Sequence, residues 1–261
     1  MLIYVCLSSH GFGHASRQAA LLAELHLLRP DYRLVVSSNI SKKFLDILFK
    51  DIPIEFRFFV WDIGMIQNDA FNINVDRTLV ELDKLEAILP YNIKIEADWI
   101  SSLGLNTIIL ADIPYSAAKL SKLIGAKLIW FGNFGWDDIY QPFDKILYKH
   151  RLNAYLNYKK GDLILRCPFS LSMNWNIREI SIGLTSSRPR ELPQVFQSDL
   201  LSSNRPIVLM SFGGLGYNIN FELFKLWPDH LFILTSDNNN YHAIDSQNNI
   251  LFIPNGFRVL D

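Results

Sequence analysis

The 261-residue sequence has only two cysteines and no concentrated block of charge. Cys6 and Cys167 each lie in an apolar, strand-like run, which favours buried thiols over a disulfide and is typical of a reducing compartment. The 25 basic and 26 acidic residues are nearly balanced and are not clustered, so the charge pattern does not indicate a nucleic-acid-binding surface. These features favour a globular protein over a disulfide-rich secreted domain or a nucleic-acid-binding protein.

The sequence also lacks long apolar runs and the spacing of a metal site. The first apolar run, Leu2 to Leu7, is too short for the apolar core of a signal peptide, and no other run reaches the length of a membrane span. His, Cys and carboxylate residues do not recur at metal-ligand spacing, so we predict no metal centre. We expect a cytoplasmic protein without a transmembrane segment and without a nucleic-acid partner.

Strand-like and helix-like segments alternate through most of the chain. Strands are predicted for the apolar runs at residues 2–7, 32–37, 54–59, 107–111, 127–131 and 162–165. Helices are predicted for the apolar-periodic segments at 15–28, 41–50, 75–99 with an interruption at Pro90, 116–124 and 143–158. This alternation predicts an α/β domain with a parallel, Rossmann-like sheet. The segment 61–74 lacks clear periodicity and is predicted to be a long surface loop.

A change in composition near residue 185 divides the chain. Residues 185–206 are rich in Ser, Arg, Pro and Gln and are predicted to form a linker. Strands are predicted again at 207–211, 231–235 and 250–253, with a short helix at 220–227. Fewer than 60 residues follow the linker, which is too few for a complete doubly wound domain. We therefore expect an N-terminal domain at 1–184 and an incomplete second Rossmann-like domain at 207–261.

The segment after the first predicted strand carries unusual chemistry. Gly11 and Gly13 stand between His10 and His14, just before the first predicted helix. A strand, a glycine turn and a helix N-terminus can hold an anion or a reacting hydroxyl close to main-chain N–H groups. The third glycine of a dinucleotide fingerprint is replaced by Ser16, and no carboxylate follows the second strand to bind a ribose. NAD or FAD binding is therefore disfavoured.

His14 is the candidate general base of this segment. A helix N-terminus disfavours positive charge and so favours the neutral imidazole that a base requires, although a local hydrogen bond is an equally simple role. Asp112 ends a central strand on the same edge of the predicted sheet, where a carboxylate can orient a histidine. Its alternative role is to cap the turn before Pro114. We expect the two side chains to hydrogen-bond directly or through one water.

A second unusual loop follows the predicted strand at 127–131. It contains Asn133, Trp136, Asp137 and Tyr140. These residues either line the same site as His14 or form an ordinary combination of aromatic packing and helix capping. We predict that Asn133 and Trp136 face the site.

Three motifs together resemble one group of glycosyltransferase-like proteins. They are Ser-His-Gly-Phe-Gly-His-Ala-Ser-Arg at 9–17, Gly-Asn-Phe-Gly-Trp-Asp-Asp-Ile-Tyr at 132–140 and Ser-Phe-Gly-Gly-Leu-Gly at 211–216. The chain is similar, in order and along nearly its whole length, to the N-terminal region of plant L-arabinokinase and to stand-alone bacterial relatives. The resemblance implies the GT-B architecture, in which an N-terminal Rossmann-like domain binds the acceptor and a C-terminal one binds a nucleotide-sugar.

The resemblance also implies roles for individual residues. His14 corresponds to the catalytic base and Asp112 to its partner. The diphosphate of the donor is expected at Gly213, Gly214 and Gly216. The acceptor is expected at His10, Gly11, Gly13, Asn133, Trp136, Asp137 and Tyr140. The implied reaction is metal-independent transfer from a nucleotide-sugar, a UDP-sugar by expectation, to an acceptor hydroxyl, with no further cofactor.

Relatives continue beyond the strand at 250–253 into a helical region that binds the nucleotide and the sugar. This sequence ends at Asp261 without that region. We therefore expect a donor half that is absent, incomplete or supplied by a partner chain or a homo-oligomer, and weak binding of UDP-sugars by the isolated chain. The alternatives are a non-catalytic acceptor-binding module that needs a separate donor-domain partner, and an inactive remnant.

Overall fold

The computed structural model describes residues 1–68, 72–188, 204–210, 220–236 and 249–254. The chain divides into two compact units, Met1–Ser187 and Arg188–Asp261, here called unit 1 and unit 2. Each unit has its own parallel sheet. The division falls inside the predicted linker at 185–206, most of which lies outside the described residues.

Unit 1 is built on a seven-stranded parallel sheet. Its strands are β1 (Leu2–Leu7), β2 (Arg33–Ser38), β3 (Ile54–Phe58), β4 (Thr107–Asp112), β5 (Lys127–Gly132), β6 (Leu163–Arg166) and β7 (Glu179–Ser181). They lie in the order β3-β2-β1-β4-β5-β6-β7. The order reverses at β1, so the carboxyl ends of β1 and β4 flank the point at which open α/β sheets bind ligands. The predicted Rossmann-like sheet is confirmed.

Helices cover both faces of this sheet. They are α1 (Gly13–Leu28), α2 (Lys42–Leu48), α3 (Val75–Ser102), α4 (Ala117–Ile124), α5 (Trp136–Tyr140) and α6 (Asp144–Tyr158). Side chains of β1 alternate between two cores, since Tyr4 packs with the apolar side of α3 and Val5 packs with α1 and α2. Within the described ranges, no helix is long and apolar enough to cross a membrane.

The helix predicted at 75–99 is not interrupted at Pro90. α3 continues through this proline to Ser102. A proline costs a helix one internal N–H bond, but burial of the apolar side of α3, including Leu85, Leu89 and Ile93, holds the helix together. Tertiary packing therefore overrides the local signal at Pro90.

The predicted surface loop at 61–74 begins inside the core. Trp61 and Asp62 are buried, and Trp61 Nε1 donates to Ser37 Oγ at 3.0 Å. The carbonyl of Trp61 accepts from Ser116 Oγ at 2.7 Å. These contacts come from distant parts of the chain. They bury Trp61, which the sequence favours as a core residue, at the start of a segment that was predicted to be a surface loop.

The described residues of unit 2 form three parallel strands in the order β10-β9-β8. They are β8 (Ile207–Met210), β9 (Leu231–Ser236) and β10 (Ile250–Pro254). The short helix predicted at 220–227 is a 3-10 helix, Phe221–Leu226, which packs Phe224 against Phe232. Gly213, Gly214 and Gly216 lie outside the described residues, so their role at a diphosphate remains a prediction.

Candidate active site

His14 and Asp112 meet where the strand order of the unit 1 sheet reverses. His14 is the second residue of α1, which follows β1, and Asp112 is the last residue of β4, the neighbour of β1. His14 Nδ1 lies 2.7 Å from Asp112 Oδ1, and both side chains are buried. The structure therefore brings together the two residues that the sequence suggested as a base and its partner.

Hydrogen-bond donors surround the Asp112 carboxylate. Arg17 Nε donates to Oδ2 at 2.7 Å, and Gln18 Nε2 donates to the same oxygen at 2.8 Å. Arg17 Nη2 also donates to Oδ1, the oxygen that faces His14. Burial by itself would raise the pKa of Asp112, but the charges and hydrogen bonds of Arg17 and His14 lower it to about 2. Asp112 is therefore an ionised acceptor whose lone pairs are all engaged.

The contacts of His14 Nδ1 indicate which ring nitrogen carries the proton. An ionised carboxylate only accepts hydrogen bonds, so the 2.7 Å contact with Asp112 requires a proton on Nδ1. Arg17 Nη2 lies 2.9 Å from Nδ1, but this donor has Asp112 Oδ1 as an acceptor instead. We assign the Nδ1–H tautomer from this network, because it satisfies the hydrogen bonds of His14, Asp112 and Arg17 together. It leaves the lone pair on Nε2, to which no described residue hydrogen-bonds.

Arg17 connects α1 with the end of β5 and the loop that follows it. Its Nη1 donates to Asn133 Oδ1 at 3.0 Å, and its guanidinium lies over the Phe131 ring, 5.5 Å from the centroid. The Phe134 ring packs edge-on against His14, with centroids 5.7 Å apart. Asn133 therefore joins the His14 network, with its amide oxygen bound to Arg17 and its amide nitrogen unbonded by any described residue.

A second carboxylate, Asp62, fixes Trp136 beside the same loops. Asp62 accepts from Ser8 Oγ at 3.1 Å and from Trp136 Nε1 at 2.8 Å. Burial raises the pKa of Asp62, and these two hydrogen bonds offset only part of that rise. The Trp136 ring in turn packs edge-on against His10, with centroids 5.2 Å apart. Asp62 thus connects the loops that follow β1, β3 and β5.

His10 packs into space that Gly64 leaves open. A Cβ at Gly64 would lie 2.6 Å from the His10 ring and 2.8 Å from Trp136, and Gly64 has a φ of +67°. Burial, and to a lesser extent the nearby His14, lower the pKa of His10. His10 is therefore a neutral, aromatic-packed side chain outside the hydrogen bonds of His14.

Gly11 and Gly13, the two glycines of the first loop, differ in whether the backbone conformation requires a glycine. Gly11 has a φ of +92°, a conformation that favours glycine. Gly13 lies outside that region, and nothing would contact a Cβ placed there. The backbone therefore requires glycine at 11, whereas at 13 the absence of a side chain leaves the start of α1 open.

Asp137 and Tyr140 have partners outside the His14 network. Asp137 Oδ2 accepts from Trp175 Nε1 at 3.0 Å, and burial raises the pKa of Asp137 to about 6. Tyr140 is fully buried and stacks on Trp136, with centroids 5.7 Å apart. These contacts correspond to the packing alternative that the sequence left open for both residues.

The residue after Asp112 has an unusual backbone conformation. Ile113 has a φ of +67°, which is strongly disfavoured for a β-branched side chain. Tyr158 Oη donates to the Ile113 carbonyl at 2.6 Å and accepts from the Trp136 N–H at 3.1 Å. One hydroxyl group therefore fixes both the turn that ends β4 and the start of α5.

Several residues of the site were not predicted from the sequence. Arg17 and Gln18 lie three and four positions after His14, and this spacing on one helix face is a signal that could have identified them. Asp62 and Tyr158 gave no comparable signal. Asp62 lies in a segment without periodicity, and Tyr158 lies at the end of α6, far along the chain from the loops it contacts.

A separate group of residues with the chemistry of metal ligands lies between α3 and α6. The spacing of such residues in the sequence had predicted no metal centre. The ligand atoms of Asp83, Glu86 and His150 all lie within 4.8 Å of one another. Lys149 Nζ lies 3.1 Å from Asp83 and 2.8 Å from Glu86. The lysine forms an ion pair with both carboxylates, so the group is explained as an ion-pair cluster.

Comparison with known proteins gives matches at the level of structure alone. No protein-family profile and no curated protein matches the sequence. Phytolacca americana UGT2, complexed with UDP-2fluoro-glucose and pterostilbene, aligns with a TM-score of 0.62 at 10% identity over 97% of this chain and 71% of that chain. A UDP-glucosyltransferase from Polygonum tinctorium aligns with a TM-score of 0.62 at 14% identity over 97% and 71%.

A third match has a different description. A putative UDP-N-acetylglucosamine 2-epimerase from Listeria monocytogenes aligns with a TM-score of 0.54 at 13% identity over 91% of this chain and 63% of that chain. Together these likenesses show a Rossmann-like α/β fold of the GT-B type. They do not show the resemblance to arabinokinase.

Proposed function

Starting from this GT-B-type fold, we propose that the protein is a glycosyltransferase-like enzyme that transfers sugar from a UDP-sugar to an acceptor hydroxyl. The observation that carries the proposal is the 2.7 Å contact between His14 and Asp112 where the strand order reverses. An imidazole whose Nδ1–H is held by an ionised carboxylate presents Nε2 as a base. The names of two structural neighbours, one a UDP-glucosyltransferase and one a complex with UDP-2fluoro-glucose, support the donor class.

The proposed reaction begins with proton transfer from the acceptor hydroxyl to His14 Nε2. The acceptor oxygen attacks the anomeric carbon of the donor sugar, and the bond from that carbon to the diphosphate breaks. The nucleoside diphosphate leaves with the bonding electrons. Asp112 stabilises the imidazolium through the Nδ1–H bond and does not itself take the proton. The amide nitrogen of Asn133 is a candidate donor to an acceptor oxygen.

A second candidate function is an acceptor-binding module without catalysis, and Arg17 is the observation that favours it. Its guanidinium lies 2.9 Å from His14 Nδ1 and pairs with Asp112. Arg17 Nη2 donates to Asp112 Oδ1, the oxygen that also contacts His14, so Asp112 can act as the anchor of Arg17 without any catalytic role. A module of this kind would bind a hydroxyl compound in unit 1 and leave transfer to a partner that carries a donor domain.

One experiment separates the two functions. UDP release is measured with a panel of UDP-sugars and hydroxyl acceptors for the wild type and for His14→Asn. Loss of a general base costs a factor of about 10²–10⁴ in rate, and we expect a loss of this size with little change in thermal unfolding. His26→Asn, in the last turn of the same helix, is the matched control and should keep the wild-type rate.

The outcomes have distinct meanings. Transfer by His14→Asn at the wild-type rate would show that His14 is not the base. If the wild type releases no UDP but binds hydroxyl compounds in a His14-dependent way, the acceptor-binding module is favoured.

A further inference from the structure

The 28-residue helix α3 has apolar residues on two opposite sides. One side faces the core and includes Leu82, Leu85, Leu89, Ile93 and Ile100. With 3.6 residues per turn, four large apolar residues fall within an arc of about 80° on the opposite side, namely Val80, Ile88, Tyr91 and Ile95. These four residues are between 48% and 73% exposed. Single exposed apolar residues are ordinary, but an aligned row on a second helix face is typical of a face that is covered by a partner.

Two charged residues, Lys84 and Asp98, lie at equal distances along α3 on either side of Tyr91. Lys84 lies seven residues before Tyr91 and Asp98 lies seven residues after it. Because seven residues are close to two helical turns, Lys84, Tyr91 and Asp98 share one side of α3. If a second α3 packs antiparallel with Tyr91 against Tyr91, each Lys84 lies opposite the Asp98 of the other helix. The same register places Ala87 opposite Ile95.

We propose that this side of α3, the Tyr91 face (Val80, Lys84, Ile88, Tyr91, Ile95 and Asp98), is the interface between two copies of the chain. The copies are related by a two-fold axis that passes near Tyr91. An interface on a two-fold axis must be self-complementary, and the symmetric charges around an apolar centre meet this requirement. α3 is about 42 Å long, so an antiparallel pair can be in contact over many residues.

Lys84 and Asp98 on the Tyr91 face can leave their ion-pair partners in the single chain and pair across the interface with little loss of free energy. In a single chain, Lys84 pairs with Glu81, and Asp98 pairs with Lys94. Exposed ion pairs of this kind contribute little to stability. Within one helix, Lys84 and Asp98 lie about 21 Å apart, beyond the screening length of about 10 Å at 0.1 M salt. Energetic coupling between these two positions therefore has to come from a second chain.

A cysteine scan of the full chain tests the symmetry axis. A residue on a two-fold axis meets its own copy, so Tyr91→Cys should form an intermolecular disulfide rapidly on mild oxidation. Cys6 and Cys167 are both buried and contribute little to such crosslinking. Leu28→Cys, at an exposed position at the end of α1, is the control and should crosslink slowly. Equal rates for the two variants would overturn the proposal.

Charge exchange tests the antiparallel register by sedimentation velocity. Lys84→Asp and Asp98→Lys should each weaken dimerisation about tenfold, because each places like charges together twice per dimer. The double variant should recover most of the wild-type affinity. No recovery, or a wild type that stays monomeric up to about 100 μM, would overturn the proposal. Monomers that bind phosphatidylcholine vesicles through Tyr91 would assign this face to a lipid surface instead.

Discussion

The Asp112 carboxylate accepts hydrogen bonds from three side chains of the same helix. His14, Arg17 and Gln18 are all on α1, and all three donate to Asp112 at the end of β4. Asp112 therefore orients the candidate base and also attaches α1 to the sheet. Removing its charge leaves the largely buried Arg17 guanidinium without its counter-charge, which is strongly destabilising.

We expect Asp112→Asn to lower the free energy of unfolding by about 3 kcal/mol at neutral pH. Folding lowers the pKa of Asp112 from 3.8 to about 2, so the ionised carboxylate stabilises the fold fully above about pH 4. This contribution is lost as the pH falls towards 2. Urea unfolding should therefore give a difference between wild type and variant that is constant near neutral pH and narrows below about pH 4. A difference that stays constant at low pH would contradict this role.

Arg17→Lys tests whether the shape of the guanidinium matters as well as its charge. A lysine has one nitrogen and cannot contact both oxygens of Asp112 and also Asn133. We expect the free energy of unfolding to fall by about 1–2 kcal/mol in urea unfolding. Arg29→Lys, at an exposed position just after α1, should have a much smaller effect. Equal effects of the two substitutions would mean that the buried contacts of Arg17 contribute no more than the exposed contact of Arg29 with Asp31.

At the scale of elements, the site depends on the turn that leaves β4. Ile113 adopts a left-handed backbone conformation there, and a Cβ at Gly132 would lie 2.7 Å from its side chain. Such strain persists only where the surrounding contacts fix it. Here the fixing contacts are the Tyr158 hydroxyl and the space that Gly132 leaves on β5.

Removing one hydroxyl should therefore loosen this turn. Tyr158→Phe leaves the Ile113 carbonyl and the Trp136 N–H without their shared partner, which we expect to cost about 1–3 kcal/mol of unfolding free energy. Tyr148→Phe, at an exposed position on the same helix, is the matched control and should cost less than about 0.5 kcal/mol. Thermal unfolding of both variants measures the difference, and a similar loss in the control would contradict the role of Tyr158.

Local periodicity was sufficient to predict most elements of unit 1. The strands β1 to β6 carry apolar runs, and the helices that cover them carry an apolar side. β7 was missed because its three residues, Glu179–Ser181, are all exposed and give no apolar signal. The continuity of α3 through Pro90 and the burial of Asp62 were missed because both depend on contacts with distant residues.

The candidate site was predictable only in part for the same reason. His14 and Asp112 both follow from topology, since parallel strands place their carboxyl ends on one edge of the sheet. Asp62 and Tyr158 contact the site from distant parts of the chain, and the sequence pattern around each residue does not predict these contacts.

At the scale of the whole molecule, the candidate site belongs to one unit. His14, Arg17, Asp62, Asp112 and Asn133 all lie in unit 1. The two large apolar cores also lie in unit 1, and unit 2 has a smaller core of its own. Unit 1 therefore contains what an independent folding unit requires.

We expect residues 1–187 alone to fold and to unfold cooperatively. Trp61, Trp130, Trp136 and Trp175 are buried in this unit, so their fluorescence reports its packing. Its thermal midpoint should lie within about 5 °C of that of the corresponding transition in the full chain. A broad, non-cooperative transition in the isolated segment would show that unit 1 needs the rest of the chain.

The position of β1 in the sheet also has a consequence for synthesis on the ribosome. β1 pairs with β2 on one edge and with β4 on the other, and Leu2 lies opposite Thr107. At about 5–20 residues per second, roughly 5–20 s pass between the synthesis of these two partners. The first strand to be made is therefore completed only after β2 and β3, and its apolar edge must be shielded in the meantime. The helix that carries His14 is likewise made well before the carboxylate that orients its imidazole.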